Sequence, residues 1–224
     1  MHYLTEWLSK FFEMLHGSLS NFIPNDNITY GLSIILFTII VRVILIPVYV
    51  KQIKSTSKMS EIQPQMKTLQ QKYKNDPQKY QQEMMKLYKE NGANPLSGCL
   101  PLIVQMPILF SLYWVFMNLK INGVSFLWIK DLGALASFSD ITTLILPIVS
   151  GITTYISSSL MAIKSDNAQS KQMTTTNIVM SVFFTWFSLR VKGALVLYWV
   201  TNNLFQIAQT VIMQRAQKLS KKSA

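Results

Sequence analysis

The chain has 224 residues, half of them hydrophobic, and its 21 Lys and Arg outnumber its 10 Asp and Glu to give a formal net charge of +11. Only 14% of the residues are charged, which argues against a soluble domain, where about 25% is usual. The 12% aromatic content excludes a disordered chain, and the single cysteine excludes an internal disulfide framework. The composition therefore predicts a polytopic membrane protein with basic surfaces.

Residues 1–23 are predicted to form an amphipathic helix. Leu4, Leu8, Phe11 and Leu15 recur at helical spacing, and most of the charged side chains fall on the other side. The segment is too polar to span a bilayer, and it lacks the basic start and unbroken apolar centre of a signal peptide. It is expected to lie in the outer membrane interface. The alternative is a helix that packs against protein.

Five further segments are apolar and close to the length of about 20 residues that a bilayer core requires. The predicted spans are 29–50, 96–118, 141–163, 172–189 and 193–213. The fourth span is the least apolar because its first turns are rich in Thr, and only a hairpin turn fits between the fourth and the fifth. Prolines predict bends or breaks within the first three spans: Pro47, Pro101, Pro107 and Pro147.

Residues 51–95, between the first two spans, are rich in Lys and Gln and are predicted to form a helical hairpin outside the membrane. Asp76 and Pro77 are a favoured N-cap and first helical residue for its second arm, and Asn91-Gly92 is a favoured end. A narrow apolar seam recurs at heptad spacing: Met59, Ile62, Met66, Leu69, Tyr73, Tyr80, Met84 and Leu87. The alternative is two separate amphipathic helices on the lipid surface.

The basic residues predict the orientation. If the hairpin is cytoplasmic, the inner segments, including the tail 214–224, hold fifteen of the 21 Lys and Arg, and the outer segments hold five. The positive-inside rule then places the N-terminus outside and the C-terminus in the cytosol. Arg190 and Lys192, beside the outer face, do not fit this pattern. The inner basic residues are expected to attract anionic headgroups or ribosomal RNA, and the candidates are Lys54, Lys58, Lys67, Lys72, Lys74, Lys218, Lys221 and Lys222.

Arg42 is the only basic residue inside a predicted span, and no span carries an acidic residue to pair with it. Lys51, which marks the cytosolic interface, lies about 13 Å along the helix axis, and an extended arginine covers only about half of that distance. Arg42 is therefore expected to face a wet cavity between helices. The alternative is that it reaches the interface by snorkelling.

Uncharged polar residues occur in all five spans. A single Ser or Thr commonly bonds its own helix, so only their recurrence favours a shared polar surface. They are Thr38, Gln105, Thr153, Thr154, Ser157, Ser158, Ser181, Thr185, Thr201, Asn202, Asn203 and Gln206.

Catalytic motifs are not found in the sequence. There is no P-loop pattern, and the two histidines, His2 and His16, both lie in the N-terminal helix. No enzymatic activity, metal or cofactor is expected.

Four stretches resemble the YidC/Oxa/Alb family of membrane protein insertases. They are GCLPLIVQMPILFSLYWVF (98–116), FLWIKDL (126–132), LPIVSGITTYI (146–156) and ALVLYWVTNNLFQIAQ (194–209). The chain is most similar to the short, Gram-positive (SpoIIIJ-like) type, because the large extracytoplasmic domain of Gram-negative members is missing.

The resemblance implies an all-α membrane protein in which five transmembrane helices enclose a hydrophilic groove open to cytosol and lipid. It also implies ATP-independent insertion of small membrane proteins into the bacterial plasma membrane, alone or with the Sec translocon, with nascent chains and the ribosome as partners. The family's groove arginine corresponds to Arg42, and its substrate-contacting aromatic position corresponds to Trp199. The candidate groove residues are Arg42, Thr38, Gln105, Ser157, Ser158, Trp199 and Asn203.

The chain departs from the family pattern in two places. The family's Phe-Pro-x-Gly turn is replaced by FSLRVKG at 187–193, and a glutamine common in the third span is replaced within Ser157-Ser158-Ser159. The start also lacks a lipoprotein signal and cysteine, so anchoring is expected from the spans. From the residues alone, two other functions stay open: a transporter or channel for a small anionic solute, and a membrane assembly scaffold.

Overall fold

A computed structural model describes residues 2–94, 100–119, 121–161 and 168–222, and the side chains of residues 100–104, 168–173 and 217–222 are outside this description. The secondary structure of the described part is helical, which confirms the predicted all-α class. The helices are α1 (His2–Phe22), α2 (Asp26–Ile44), α3 (Ile46–Glu61), α4 (Gln63–Lys72), α5 (Pro77–Glu90), α6 (Leu100–Asn118), α7 (Ile141–Met161), α8 (Ala168–Ser188) and α9 (Gly193–Lys222).

The predicted first span is divided between two helices. Asn25 caps α2 by accepting a hydrogen bond from the Asn27 backbone at 3.1 Å, and α2 ends at Ile44 with Leu45 as its C-cap. Pro47 lies in the first turn of α3, where its missing N–H costs nothing, whereas within a continuous helix its ring would clash with the preceding turn. The break expected at Pro47 is therefore confirmed, and the helix does not run unbroken through 29–50.

The segment between the first two predicted spans contains α4 and α5, which pack against each other. Asp76 caps α5 by accepting from the Lys79 backbone at 3.0 Å, and Gly92 takes a positive φ of +56° just after α5, as the local sequence predicted. The first arm has a break at Ile62, immediately before the first turn of α4. The buried seam comprises Met59, Ile62, Met66, Tyr88 and Ala93, with Met84 and Leu87 packed against it.

The helix α9 lies at the centre of the larger bundle and contacts α2, α3, α6 and α7. Its first two turns, from Ala194 to Tyr198, are buried against residues of the neighbouring helices. The outward faces of the bundle carry many large exposed apolar side chains, which soluble monomers rarely cluster. Examples are Ile44, Trp114, Ile148, Ile152, Val182, Trp186, Leu204 and Ile212.

Two helices of the described part, Asp26–Ile44 and Ile141–Met161, have the length and apolar composition needed to cross a membrane. The number of spans stays a prediction for the rest of the bundle. Polar residues lower the hydropathy of α8 and α9, and part of α6 falls among the undescribed side chains.

The N-terminal helix α1 packs against protein. Leu8 and Phe12 are buried, and the Phe12 ring meets Phe37 of α2 and Phe116 of α6 edge-on. This packing corresponds to the alternative weighed from the sequence, because the apolar stripe that was expected to face lipid covers α2 and α6. Contact with a membrane interface stays a prediction for its outer side, where Trp7 is exposed.

The loop between α6 and α7 is fixed against the bundle. Phe126 packs onto Gly31 of α2, where an added Cβ atom would lie 2.0 Å from its ring. Lys130 Nζ donates to Asp140 Oδ2 at 2.5 Å. This hydrogen bond, followed by those from Thr142, lowers the pKa of the Asp140 carboxyl to about 2.

Lys192, in the turn between α8 and α9, has a structural role, although its charge did not fit the predicted charge pattern. Lys192 Nζ donates to the carbonyl oxygens of Met117 at 2.8 Å and Leu119 at 3.2 Å. These carbonyls lie at the C-terminal end of α6, where a positive charge is favourable because the last carbonyls have no helical partner. Arg190 lies over the Trp186 ring, 5.9 Å from its centroid.

Candidate functional site

Arg42, in the last turn of α2, is buried by side chains of α3 and α9. Its side chain is only 2% exposed, so it does not extend to the protein surface. Its Nε donates to Asn202 Oδ1 at 2.5 Å and its Nη2 donates to Gln206 Oε1 at 3.0 Å. The Tyr49 ring lies against the guanidinium, with 4.6 Å between Cζ and the ring centroid.

The polar contacts continue from Tyr49 into α6 and back to α9. Tyr49 OH donates to Gln105 Oε1 at 3.5 Å, and Gln105 Nε2 donates to Tyr198 OH at 2.8 Å. The predicted residues Arg42 and Gln105 are thus brought together. Residues of four helices, α2, α3, α6 and α9, build this surface, which we call the arginine site: Arg42, Tyr49, Gln105, Tyr198, Asn202 and Gln206.

The charge of the arginine site is unbalanced. Within the described part of the chain, Arg42 has no acidic partner, and its acceptors are the neutral amides of Asn202 and Gln206. Its Nη1 atom is buried and finds no hydrogen-bond partner among the residues that the structure describes. A buried cation held only by neutral groups, with donor capacity left over, favours the binding of an anionic group.

Trp199 and Asn203 lie on a different side of α9. The Asn203 amide is 2.9 Å from Thr154 Oγ1 and 3.3 Å from Thr153 Oγ1 of α7. With its oxygen turned to that side, it also accepts from Trp199 Nε1 at 3.2 Å. The Trp199 ring packs on Phe184 of α8 with 3.8 Å between centroids. The structure therefore divides the predicted site between the arginine site and a second polar group facing α7 and α8.

Gln206 links the two sides of α9, because its Nε2 lies 3.0 Å from Met161 Sδ at the end of α7. Gln52 of α3 is also buried there, with its Nε2 3.9 Å from the same sulfur. Met161 thus has both glutamines beside its sulfur, and one of them, Gln206, also accepts from Arg42.

Besides Trp199 and Asn203, three further predicted groove residues do not join the arginine site. Thr38 is buried, but its hydroxyl donates to the Ile34 carbonyl of its own helix at 2.6 Å. The Ser158 hydroxyl donates in the same way to Tyr155 at 3.1 Å. Ser157 is buried on α7. Thr38 and Ser158 therefore bond to their own helices, as Ser and Thr hydroxyls commonly do.

The lysines predicted to contact lipid or RNA lie on the surface of the hairpin segment where they can be described. Lys54, Lys58, Lys67, Lys72 and Lys74 are exposed. The side chains of Lys218, Lys221 and Lys222 lie outside the described residues.

The comparison with known proteins decides the family. A family model described as 60Kd inner membrane protein matches residues 22–222. The membrane protein insertase YidC of Clostridium acetobutylicum is 54% identical over 205 residues, which are 91% of this chain and 81% of that protein. The chain belongs to the YidC family of membrane protein insertases.

Two further relatives are also similar over most of their own length. The Clostridium tetani insertase is 45% identical over 219 residues, which are 97% of this chain and 96% of that protein. The Bacillus subtilis insertase MisCA is 40% identical over 197 residues, with 86% and 72% covered. The resemblance drawn from four sequence stretches is confirmed. Membership of the YidC family favours the insertase over the solute transporter, channel or scaffold that the residues alone left open.

Sequence reasoning missed two members of the arginine site, Tyr49 and Tyr198. It noted Asn202 and Gln206 as polar residues in a span but did not include them among the site residues. A signal was available, since Asn202 and Gln206 are four residues apart and share a helix face. What the sequence could not supply was the rotation of α9 that turns this face toward Arg42.

Proposed function

We propose that the chain guides small membrane proteins into the bacterial plasma membrane, without ATP, and that the arginine site receives their hydrophilic segments. The observation that carries this proposal is the buried guanidinium of Arg42, which has neutral acceptors and, within the described part of the chain, a donor atom without a partner. Family membership supports the insertase function, and the proposal contains no catalytic step.

The arrangement we propose has five spans around a hydrophilic groove, with the N-terminus outside and the C-terminus in the cytosol. Two observations support it: polar side chains of four helices meet at Arg42, and the outward faces of the bundle are apolar. Gln105 lines the groove beside Arg42, and Trp199 and Asn203 line its side toward α7 and α8, where Ser157 is buried.

The groove lowers the energy of moving a polar segment across part of the bilayer. An acidic side chain costs about 3 kcal/mol at the centre of a membrane helix. A pairing with Arg42 replaces part of the lost solvation, while the adjoining apolar span moves sideways into lipid. Burial of that span contributes about 25 cal/mol for each Å² of apolar surface, so the hydrophobic gain of the substrate drives its release.

The proposed partners besides nascent membrane proteins are anionic lipids, the ribosome and the Sec translocon. The exposed lysines of the hairpin segment support the first two, because each basic residue near an anionic membrane surface contributes about 1 kcal/mol. Lys54, Lys58, Lys67, Lys72 and Lys74 would act in this way, as would Lys218, Lys221 and Lys222 of the tail. Phosphates of ribosomal RNA attract the same charges.

The experiment that tests the proposal compares two substrates that differ only in their outer tail, one with Asp and Glu and one with Asn and Gln. In cells depleted of the native insertase, Arg42→Ala should lower insertion of the acidic substrate much more than that of the neutral one. Arg42→Lys should retain part of the activity, because it keeps the charge but loses the planar donor set.

Arg190→Ala serves as the matched control, since it removes an arginine that lies over Trp186 in the turn before α9. It should leave both substrates unaffected. Normal insertion of the acidic substrate by Arg42→Ala would contradict the proposed role of Arg42.

A further inference from the structure

Gln206 lies where the carboxylate of a substrate would have to bind. Its Oε1 accepts the hydrogen bond of Arg42 Nη2 at 3.0 Å, while Nη1 is buried and has no partner among the described residues. These two nitrogens form the end of the guanidinium, which binds a carboxylate through two parallel hydrogen bonds. Because Arg42 is 2% exposed, a carboxylate reaches this end only after a covering side chain has moved.

Of the two amides that accept hydrogen bonds from Arg42, Gln206 is held less firmly than Asn202. Asn202 is buried and bonds Nε at 2.5 Å. Gln206 is only partly buried, its bond to Nη2 is longer, and its own Nε2 has the thioether sulfur of Met161 as acceptor at 3.0 Å. A thioether is a weak acceptor, so the displacement of Gln206 costs less than the displacement of Asn202.

We propose that Gln206 is the side chain that an acidic substrate segment displaces from Arg42 when it enters the arginine site. Its amide oxygen occupies the place of a substrate carboxylate on Nη2. An incoming Asp or Glu displaces this amide, because a hydrogen bond between two charged groups is about twice as strong as one with a neutral acceptor. A neutral Asn or Gln is no stronger an acceptor than Gln206 itself, so it gains less from Arg42 than Asp or Glu does. This inference rests on the proposed function of Arg42 and adds the side chain that competes with the substrate.

The inference predicts different effects for two substitutions of nearly the same size. Gln206→Glu puts a carboxylate of the protein itself on Arg42, where it competes with the substrate at a high effective concentration. Gln206→Met keeps the length of the side chain but removes the acceptor, so nothing competes with the substrate for Nη2. A role in packing alone would move both variants in the same direction.

The experiment measures the ratio of acidic to neutral substrate inserted, with the same pair of substrates and with the amount of each variant in the membrane determined. Gln206→Glu should lower this ratio about tenfold, which corresponds to the difference between charged and neutral acceptors. Gln206→Met should keep or raise it. Gln209→Glu is the matched control, because it introduces the same negative charge less than one turn further along α9. It should change the ratio by less than about twofold, because its charge does not pair directly with Arg42.

Three results would overturn the inference: an unchanged ratio with Gln206→Glu, an equal fall with Gln209→Glu, or a lower ratio with Gln206→Met. If Gln206→Glu does not accumulate, the result for Gln206→Met decides alone. Arg42→Ala separates the two levels of the argument. If it lowers the ratio while Gln206→Glu does not, only the role of Gln206 is wrong; if Arg42→Ala leaves the ratio unchanged, the proposed function of Arg42 is wrong as well.

Discussion

Asn202 should contribute more to stability than any ordinary polar residue of the bundle, because it holds a buried charge. Substitution by leucine keeps the approximate volume and removes the acceptor that lies 2.5 Å from Arg42 Nε. A hydrogen bond to a charged group contributes about 1.5–3 kcal/mol, and the loss of one partner of a buried ion costs about 3–5 kcal/mol. Since Gln206 and the Tyr49 ring remain in place, we expect Asn202→Leu to lower the free energy of unfolding by about 3 kcal/mol.

The neighbouring residue supplies the matched control. Asn203 is equally buried, but its partners Thr153, Thr154 and Trp199 are neutral. Asn203→Leu should therefore cost only about 1–2 kcal/mol. Unfolding by sodium dodecyl sulfate in mixed micelles, followed by tryptophan fluorescence, measures both values.

A double-mutant cycle tests the physical reason directly. When Arg42→Leu is combined with Asn202→Leu, both polar partners are replaced by apolar groups, and the double variant should be more stable than Asn202→Leu alone. The coupling between the two positions should exceed about 1 kcal/mol. Additive effects, or a cost of Asn202→Leu no larger than that of Asn203→Leu, would refute the claim that Asn202 stabilises a buried cation.

Three further predictions concern the loop between α6 and α7 and the turn before α9. Lys192→Met should lower the free energy of unfolding by about 1–2 kcal/mol, because the last carbonyls of α6 lose their donor, whereas Arg190→Met should have little effect; equal losses in mixed-micelle unfolding would speak against the cap. Gly31→Ala should cost about 1–3 kcal/mol by overpacking, since the added Cβ would lie 2.0 Å from the Phe126 ring, and Phe126→Ala in the same chain should relieve part of that cost in a thermal melt. Because its folded pKa of about 2 lies below its usual value of 3.8, the ionised Asp140 stabilises the fold fully above pH 3.8 and loses this effect as the pH falls toward 2. The difference in melting temperature between the native chain and Asp140→Asn should therefore be constant at neutral pH and shrink in that acidic window, and a difference that grows there would contradict the assignment.

Features that depend on a few neighbouring residues could be predicted from the sequence. The Asp76-Pro77 start of α5, the turn at Gly92 and the break before Pro47 each follow from the backbone preferences of one or two residues. The importance of Arg42 followed from its charge within an apolar segment.

Features that depend on the packing of distant segments could not be predicted. Asn202 and Asn203 are adjacent in the sequence, yet one bonds Arg42 and the other bonds α7, because successive residues of a helix point about 100° apart. The rotation of α9 is set by its contacts with α2, α6 and α7, which a hydropathy pattern does not contain. Lys192 was counted only as a charge on the outer side, although its position at the end of α6 gives it a structural role.

The proposed path of the substrate can be tested most directly by photocrosslinking to ribosome-bound nascent chains. A photoreactive residue at Gln105, which bonds Tyr198 inside the arginine site, should form adducts with the hydrophilic outer segment of a substrate arrested during insertion. The same probe at Leu127, an exposed residue of the loop between α6 and α7, should not react with that segment at the same stage. Adducts at Gln105 that disappear with Arg42→Ala support the account, whereas adducts at Leu127 without any at Gln105 would contradict it.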